Sequence, residues 1–303
     1  MATTKIQAAP QTAKRSFSAG SVISAIGRWI VRNRIYLIAF AIPAVLTYLA
    51  YALFGLYPFG EESVLCLDLN GQYVYYFEAL RDAFWGDGSI FYNWSRNLSG
   101  EFMGIIGYYL ASPFTLIVML LPEKFMLSSL LIMQLCKLGA AGATFNYFLQ
   151  KRRGVQPYPS LLFSTMYAMM AYGVIQLIDP MWLDGLVFLP LIMLGIEYLV
   201  DDGRRLNFII PLALMCVANF YIGYMICFFV ILYFLFYLCF GSDKKRKGYD
   251  YFTAFVRIAY SSVIALACAA FMLLPVYNAL KLGKFEFTDP DYSFRFQSFP
   301  LSK

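Results

Sequence analysis

Asp68 heads the stretch Cys66–Phe84, CLDLNGQYVYYFEALRDAF, in which Leu69, Tyr73, Phe77, Leu80 and Phe84 follow at spacings of four, four, three and four. That period predicts one apolar face of an α-helix, with Glu78, Arg81 and Asp82 on the others, and such a helix is expected to lie on a membrane surface. The chain has no histidine, so proton transfer falls to Asp, Glu, Lys or Tyr. A carboxylate at that position is placed to take a proton from a hydroxyl group, or else it only caps the helix beside Asn70 and Gly71. Asp184 offers a second carboxylate in the turn IDPMWLDG, with Asp179 and Trp182. Two carboxylates on one side of a membrane could hold the hydroxyls of a sugar. Arg96, Lys281, Lys284 and Arg295 are cations available to meet a phosphate.

Positioning such groups is the work of a membrane bundle. The 303 residues are 60% hydrophobic and 14% charged, with several apolar runs long enough to cross a bilayer, which excludes a soluble fold. The net charge of +6 comes from Lys and Arg clustered in short loops, a signature of topology rather than of nucleic-acid binding. Five of the six cysteines sit in apolar runs and none in a CxxC pair. Neither a disulfide framework nor a metal knuckle is expected.

Residues 1–34 form a basic tail without acids, expected on the cytoplasmic side, and Ile35–Tyr57 is the first span. Residues 58–125 are predominantly acidic and read as an external loop. Within it Ser112-Pro113 marks a helix start, and Pro113–Leu121 rises only about 13 Å, a juxtamembrane helix rather than a span. Keeping this segment outside places Lys151–Arg153, Arg204–Arg205 and Lys244–Lys247 on the cytoplasmic side with the tail. Six further spans are then expected over 126–275, for seven in all: Met126–Leu149, Tyr158–Leu177, Leu183–Val200, Leu206–Ile222, Gly223–Phe240 and Thr253–Pro275. Residues 276–303 read as an external loop cut before any closing span, so a longer protein is expected. Lys137, midway along the second span, needs a partner. Either it forms an ion pair, with Glu197 as candidate, or it anchors an anionic headgroup. Gly139–Ala143 offers a smooth face for close helix packing.

The chain resembles the bacterial YfhO family of membrane proteins, through DLNGQYVYYFEALRD at Asp68–Asp82, YYLASPF at Tyr108–Phe114, Lys137-Leu138-Gly139, WLDGLVFLPLIMLGIEYL at Trp182–Leu199 and NFYIGYM at Asn219–Met225. The resemblance implies an all-α polytopic protein of GT-C type, with about seven spans and juxtamembrane helices in a large first external loop. It implies an inverting glycosyltransferase that moves a sugar from an undecaprenyl-phosphate donor to a cell-envelope glycopolymer such as lipoteichoic acid, on the outer face of the cell membrane. Asp68 takes the place of the base. Gln72, Tyr108, Asp184, Lys137 and Arg96 are the candidate substrate contacts. A lipid-phosphate donor requires no cofactor, although a divalent metal is compatible with it. The alternatives are a flippase for lipid-linked sugars and a non-catalytic scaffold of an envelope-synthesis complex.

Overall fold

A computed structural model describes residues 19–94, 100–242, 244 and 247–283. In chain order its elements are α1 (Ala19–Leu53), α2 (Val74–Trp85), the ribbon β1 (Tyr92–Asn93) and β2 (Gly100–Glu101), α3 (Met103–Ile105), α4 (Thr115–Leu120), α5 (Met126–Phe148) and α6 (Pro157–Ala168). There follow α7 (Ala171–Ile175), α8 (Leu183–Asp202), α9 (Leu206–Ala218), α10 (Phe220–Phe236) and α11 (Gly248–Gly283). The protein is an all-α polytopic membrane protein.

Among the described residues, five helical stretches are long and apolar enough to cross a membrane: Ile23–Leu53, Glu123–Arg153, Pro180–Asp202, Phe220–Gly241 and Gly248–Lys281. The expected seven is thus not matched by length. Tyr158–Leu177 is broken into α6 and α7, the chain folding back so tightly that a Cβ on Gly173 would lie 2.3 Å from the Ala168 carbonyl. Leu206–Ile222 ends early, because Asn219 leaves the helix in an extended conformation and caps α10 by accepting from Ile222 N. α6 and α9 rise only about 18 and 20 Å. The broken segment nevertheless retraces α5, since Asn146 donates to Ser160 near one end and Gln134 to the Leu177 carbonyl near the other. Two further boundaries move. α1 takes in part of the basic tail, and α11 runs through Pro275 to Gly283 where a loop is expected.

Three prolines explain how helices approach closely here. Proline lacks the N–H that would bond the carbonyl four residues back, and in lipid that carbonyl needs another neighbour. Pro43 frees Ala39, whose oxygen faces Gly142, where a Cβ would lie 2.5 Å away. Pro211 frees Asn207, whose oxygen lies against Gly195, where a Cβ would sit at 2.3 Å. Pro190 frees Leu186, which accepts from the Tyr167 hydroxyl at 3.0 Å. The smooth face read around Gly139–Ala143 therefore packs on α1, with Gly139 against Phe40.

The loop between α1 and α5 forms a cap on one end of the bundle. Leu69, Tyr73, Phe77 and Leu80 are buried in a cluster with Phe102, Ile105, Leu110, Met133 and Met272. The stripe thus packs on protein rather than on a membrane surface, because α3 and the bundle supply a larger apolar face. Phe84, the last residue of the stripe, stays exposed, as does the neighbouring Trp85. Arg81 donates to the carbonyls of Val118, Met119 and Leu121, and Trp85 to Met119, so α2 closes the C-terminal end of α4. α4 begins at Thr115, two residues later than the Ser112-Pro113 start implies, and its six residues are far too few to span. At the opposite end, Arg152 and Arg153 meet Glu197, and Arg152 also meets Asp201. Arg204 and Lys244 meet Asp202 there.

Candidate functional site

Two π-helical turns frame the candidate site. The first, Leu69–Tyr73, follows Asp68 directly, and the second, Ile106–Leu110, carries Tyr108 and Tyr109. Such turns widen the helix by one residue and recur at functional sites. Leu67, immediately before Asp68, holds φ 47°, a conformation that side-chain-bearing residues seldom adopt and that the buried Leu69 and Tyr73 must maintain. Asp68 is exposed and makes no side-chain cap on the helix it precedes. Instead, its Oδ1 accepts from Gln72 Nε2 at 3.2 Å, and Gln72 Oε1 accepts from the Tyr109 hydroxyl at 3.2 Å. Asp68, Gln72 and Tyr109 thus form one chain of hydrogen bonds.

Tyrosines continue from that chain. Tyr109 meets Tyr73 and Tyr108 edge-on at 5.1 and 4.7 Å, Tyr108 meets Tyr221 at 6.0 Å, and Tyr221 meets Trp182 at 5.6 Å. The turn bearing Tyr108 is fixed from two sides. Asn219 Nδ2 donates to the Tyr108 carbonyl at 2.8 Å, and Gly107 lets Val276 of α11 approach so closely that a Cβ would sit 2.4 Å from it. The result is an aromatic wall with hydroxyls, suited to a sugar ring, running from Asp68 to the turn before α8.

That turn holds the second carboxylate, and it is Asp179. Half-buried, Asp179 has its carboxyl raised above the usual range by burial and by the charge of Asp68, against a lowering by the Tyr73 hydroxyl. Tyr73 is itself pushed up by burial and by Asp179. Its hydroxyl lies beside Asp179 without meeting hydrogen-bond geometry, so it is a buried donor with spare capacity. Burial, with Tyr76, Tyr108, Asp68 and Asp179 around it, raises Tyr109 to about 12.

Asp184 stands behind this surface, fully buried. Its Oδ2 accepts from Lys137 Nζ at 2.8 Å and its Oδ1 from Ser112 Oγ at 2.8 Å. Lys137 also donates to the Pro180 carbonyl at 2.8 Å. The partner of Lys137 is therefore Asp184 and not Glu197, which is bound by Arg152 and Arg153. The physical reason is depth. The Leu177–Trp182 turn is recessed to the level of Gln134 and Lys137, so α8 starts about 12–16 Å below the first residue of α5. Enclosed as they are, Lys137 and Asp184 fix the turn that carries Asp179 and do not line the site.

The structure thus brings together Asp68, Gln72 and Tyr108 of the residues named from sequence, and adds Tyr109 and Asp179. Arg96, Lys284 and Arg295 lie outside the described residues, and Lys281 is exposed in the last turn of α11. No three His, Cys, Asp or Glu side chains gather as metal ligands among the described residues.

Comparison with known proteins gives a consistent picture. The family model for bacterial membrane protein YfhO matches residues 39–303. A curated relative, an uncharacterized protein YfhO of Bacillus subtilis (strain 168), is 27% identical over 168 residues, which cover 49% of this chain and 19% of that protein. The match takes in well under two-thirds of that relative's length. No solved structure matches the chain.

Proposed function

We propose that this chain, which belongs to the bacterial membrane protein YfhO family, carries the reaction centre of a membrane glycosyltransferase using a polyprenyl-phosphate-linked sugar. The observation that supports it is the state of Asp68: exposed, free of any capping duty and oriented by Gln72, at the open end of the aromatic wall that leads to Asp179. An exposed carboxylate without a structural task is a candidate base.

In this reading the sugar lies along Tyr109, Tyr108 and Trp182, with its hydroxyls reaching Asp179 and Gln72. Asp68 takes the proton of an acceptor hydroxyl as that oxygen attacks the anomeric carbon. The carbon–oxygen bond to phosphate breaks from the opposite face, the anomeric centre inverts, and polyprenyl phosphate leaves with the bonding pair. Arg96 or Lys281 neutralises the phosphate. The acceptor is a cell-envelope glycopolymer of the lipoteichoic-acid kind, and the site faces outward, opposite the basic clusters. Lys137 and Asp184 position the Asp179 turn.

The test is sugar incorporation by the full-length protein in membranes supplied with labelled polyprenyl-phosphate sugar and acceptor polymer. Asp68→Asn keeps the shape and removes the proton acceptor, so transfer should fall by about 10²-fold or more at normal protein level. Asp68→Glu displaces the base by about one methylene and should retain a small residue of activity. A flippase would lose lipid flux and a scaffold neither readout. Near wild-type transfer by Asp68→Asn would overturn the assignment.

A further inference from the structure

The end of the bundle opposite Asp68 holds a cavity of about 230 Å³ between α5, α8 and α9. Leu191 and Leu194 form its wall on α8, Leu206, Ile210 and Pro211 its wall on α9, and Tyr147 closes it on α5. Leu206 and Ile210 are exposed, so the cavity opens sideways toward lipid. The residues of these helices nearest their charged ends form its mouth. Tyr36 meets Tyr147 edge-on at 5.4 Å. Tyr198 follows Leu191 and Leu194 at helical spacing.

Three cations stand over those rings: Lys151 Nζ lies 5.7 Å from the Tyr147 centroid, and Arg204 and Arg152 each lie 5.2 Å from that of Tyr198. Of these Arg152 is committed to Glu197 and Asp201, and the adjacent Arg153 to Glu197. Lys151 has no ion pair among the described residues, and Arg204 only a long contact of 3.9 Å to the exposed Asp202. Asn207, on the cavity wall, has a side-chain amide without a hydrogen bond among the described residues. An apolar slot open to lipid, an aromatic rim and two uncommitted cations match one ligand chemistry, an acyl chain ending in an anionic headgroup.

We propose that this cavity binds one acyl chain of an anionic phospholipid, with the headgroup phosphate held by Lys151 and Arg204 and by the Asn207 amide. The site is separate from the Asp68 centre and does not depend on its assignment. It makes the charged end of the bundle selective for the lipids of one leaflet.

The test is native mass spectrometry of the full-length protein in neutral detergent, titrated with phosphatidylglycerol, with phosphatidylcholine of identical chains, or with inorganic phosphate. Each cation near a surface favours an anionic lipid by about fivefold, so the wild type should prefer phosphatidylglycerol by roughly 25-fold at one site. Inorganic phosphate should not bind. Lys151→Gln with Arg204→Gln, both exposed, should bring the preference to within about threefold. Leu191→Trp should weaken both lipids by filling the slot, and Ile210→Trp replaces it if that variant does not elute as a single species. Equal binding of the two lipids by the wild type, an unchanged preference in the double Gln variant, or binding of phosphate alone would overturn the proposal. Should neither Trp variant fold, the Gln pair decides.

Discussion

Removing Lys137 tests whether the recessed turn is held by charge. Lys137 and Asp184 have side chains 2% and 0% exposed and meet at 2.8 Å. Lys137→Met keeps the volume but leaves Asp184 with Ser112 as its sole partner, and breaking a buried pair from one side costs about 3–5 kcal/mol. Asp184→Asn leaves the buried ammonium without a counter-charge, facing only neutral carbonyl acceptors, at a similar cost. In the double variant Lys137→Met, Asp184→Asn no charge remains. Ser112 can still bond the amide, and the main loss is the unpaired Pro180 carbonyl, about 1–3 kcal/mol. The singles therefore sum to roughly twice the double or more, a coupling of about 3 kcal/mol or greater. Reversible unfolding in mixed micelles, followed by tryptophan fluorescence with Trp182 in the affected turn, measures all four proteins. Lys137→Met with Glu197→Gln should be worse than either single change, because Glu197 serves the two arginines. Additive single costs, or rescue of Lys137→Met by Glu197→Gln, would refute the reasoning.

Four further outcomes are expected. The folded chain holds the Asp179 proton more tightly than the unfolded chain does, so stability should decline as pH rises through the interval just above about 4, and Asp179→Asn should abolish that slope in melts taken from pH 4 to 7. Gly195→Ala, whose Cβ would fall 2.3 Å from the Asn207 oxygen, should destabilise by about 1–3 kcal/mol in chemical unfolding. Gly71→Ala, with nothing within 4 Å, should be neutral or slightly stabilising in the same measurement. In a background with Cys66, Cys239 and Cys268 replaced by Ser, an impermeant maleimide applied to intact cells should label Lys124→Cys and spare Lys151→Cys; the reverse would invert the orientation.

The membrane class and the helical elements were legible because apolar runs and the Leu69–Phe84 period are local properties of the chain. What the stripe packed against was not, since a helix face fit for a membrane surface is equally fit for a protein core. The need of Lys137 for an acid was also legible, but the choice of acid was not. Counted from the first residues of the two spans, depth favours Glu197, and only the recess before α8 reverses that. A signal was nonetheless present: a run of cations at Lys151–Arg153 favours acids nearby, and Glu197, which meets Arg152 and Arg153, lies at their end of the bundle. Asp179 was passed over for the same reason. Of two carboxylates five residues apart in one turn, the sequence does not tell which faces inward. Tyr109 was hidden by the π-helical turn, which shifts helical phase by one residue and cannot be read from spacing.

The ties between α5 and α8 act as a gauge of register. The helices run parallel, joined at Lys137–Asp184 and again at Arg152–Glu197, with the two joints about 20 Å apart along α8. Between helices in lipid, apolar faces slide past one another with little preference, since the tails are as apolar as the side chains. Two charge contacts at fixed separation admit one axial setting and one rotation. A single residue inserted in α8 between Asp184 and Glu197 would turn the second joint by about 100° and advance it by about 1.5 Å, so the helix could satisfy Lys137 or the arginines but not both. The depth of the Asp179 turn is thereby measured from the far side of the bundle, by residues that never approach it.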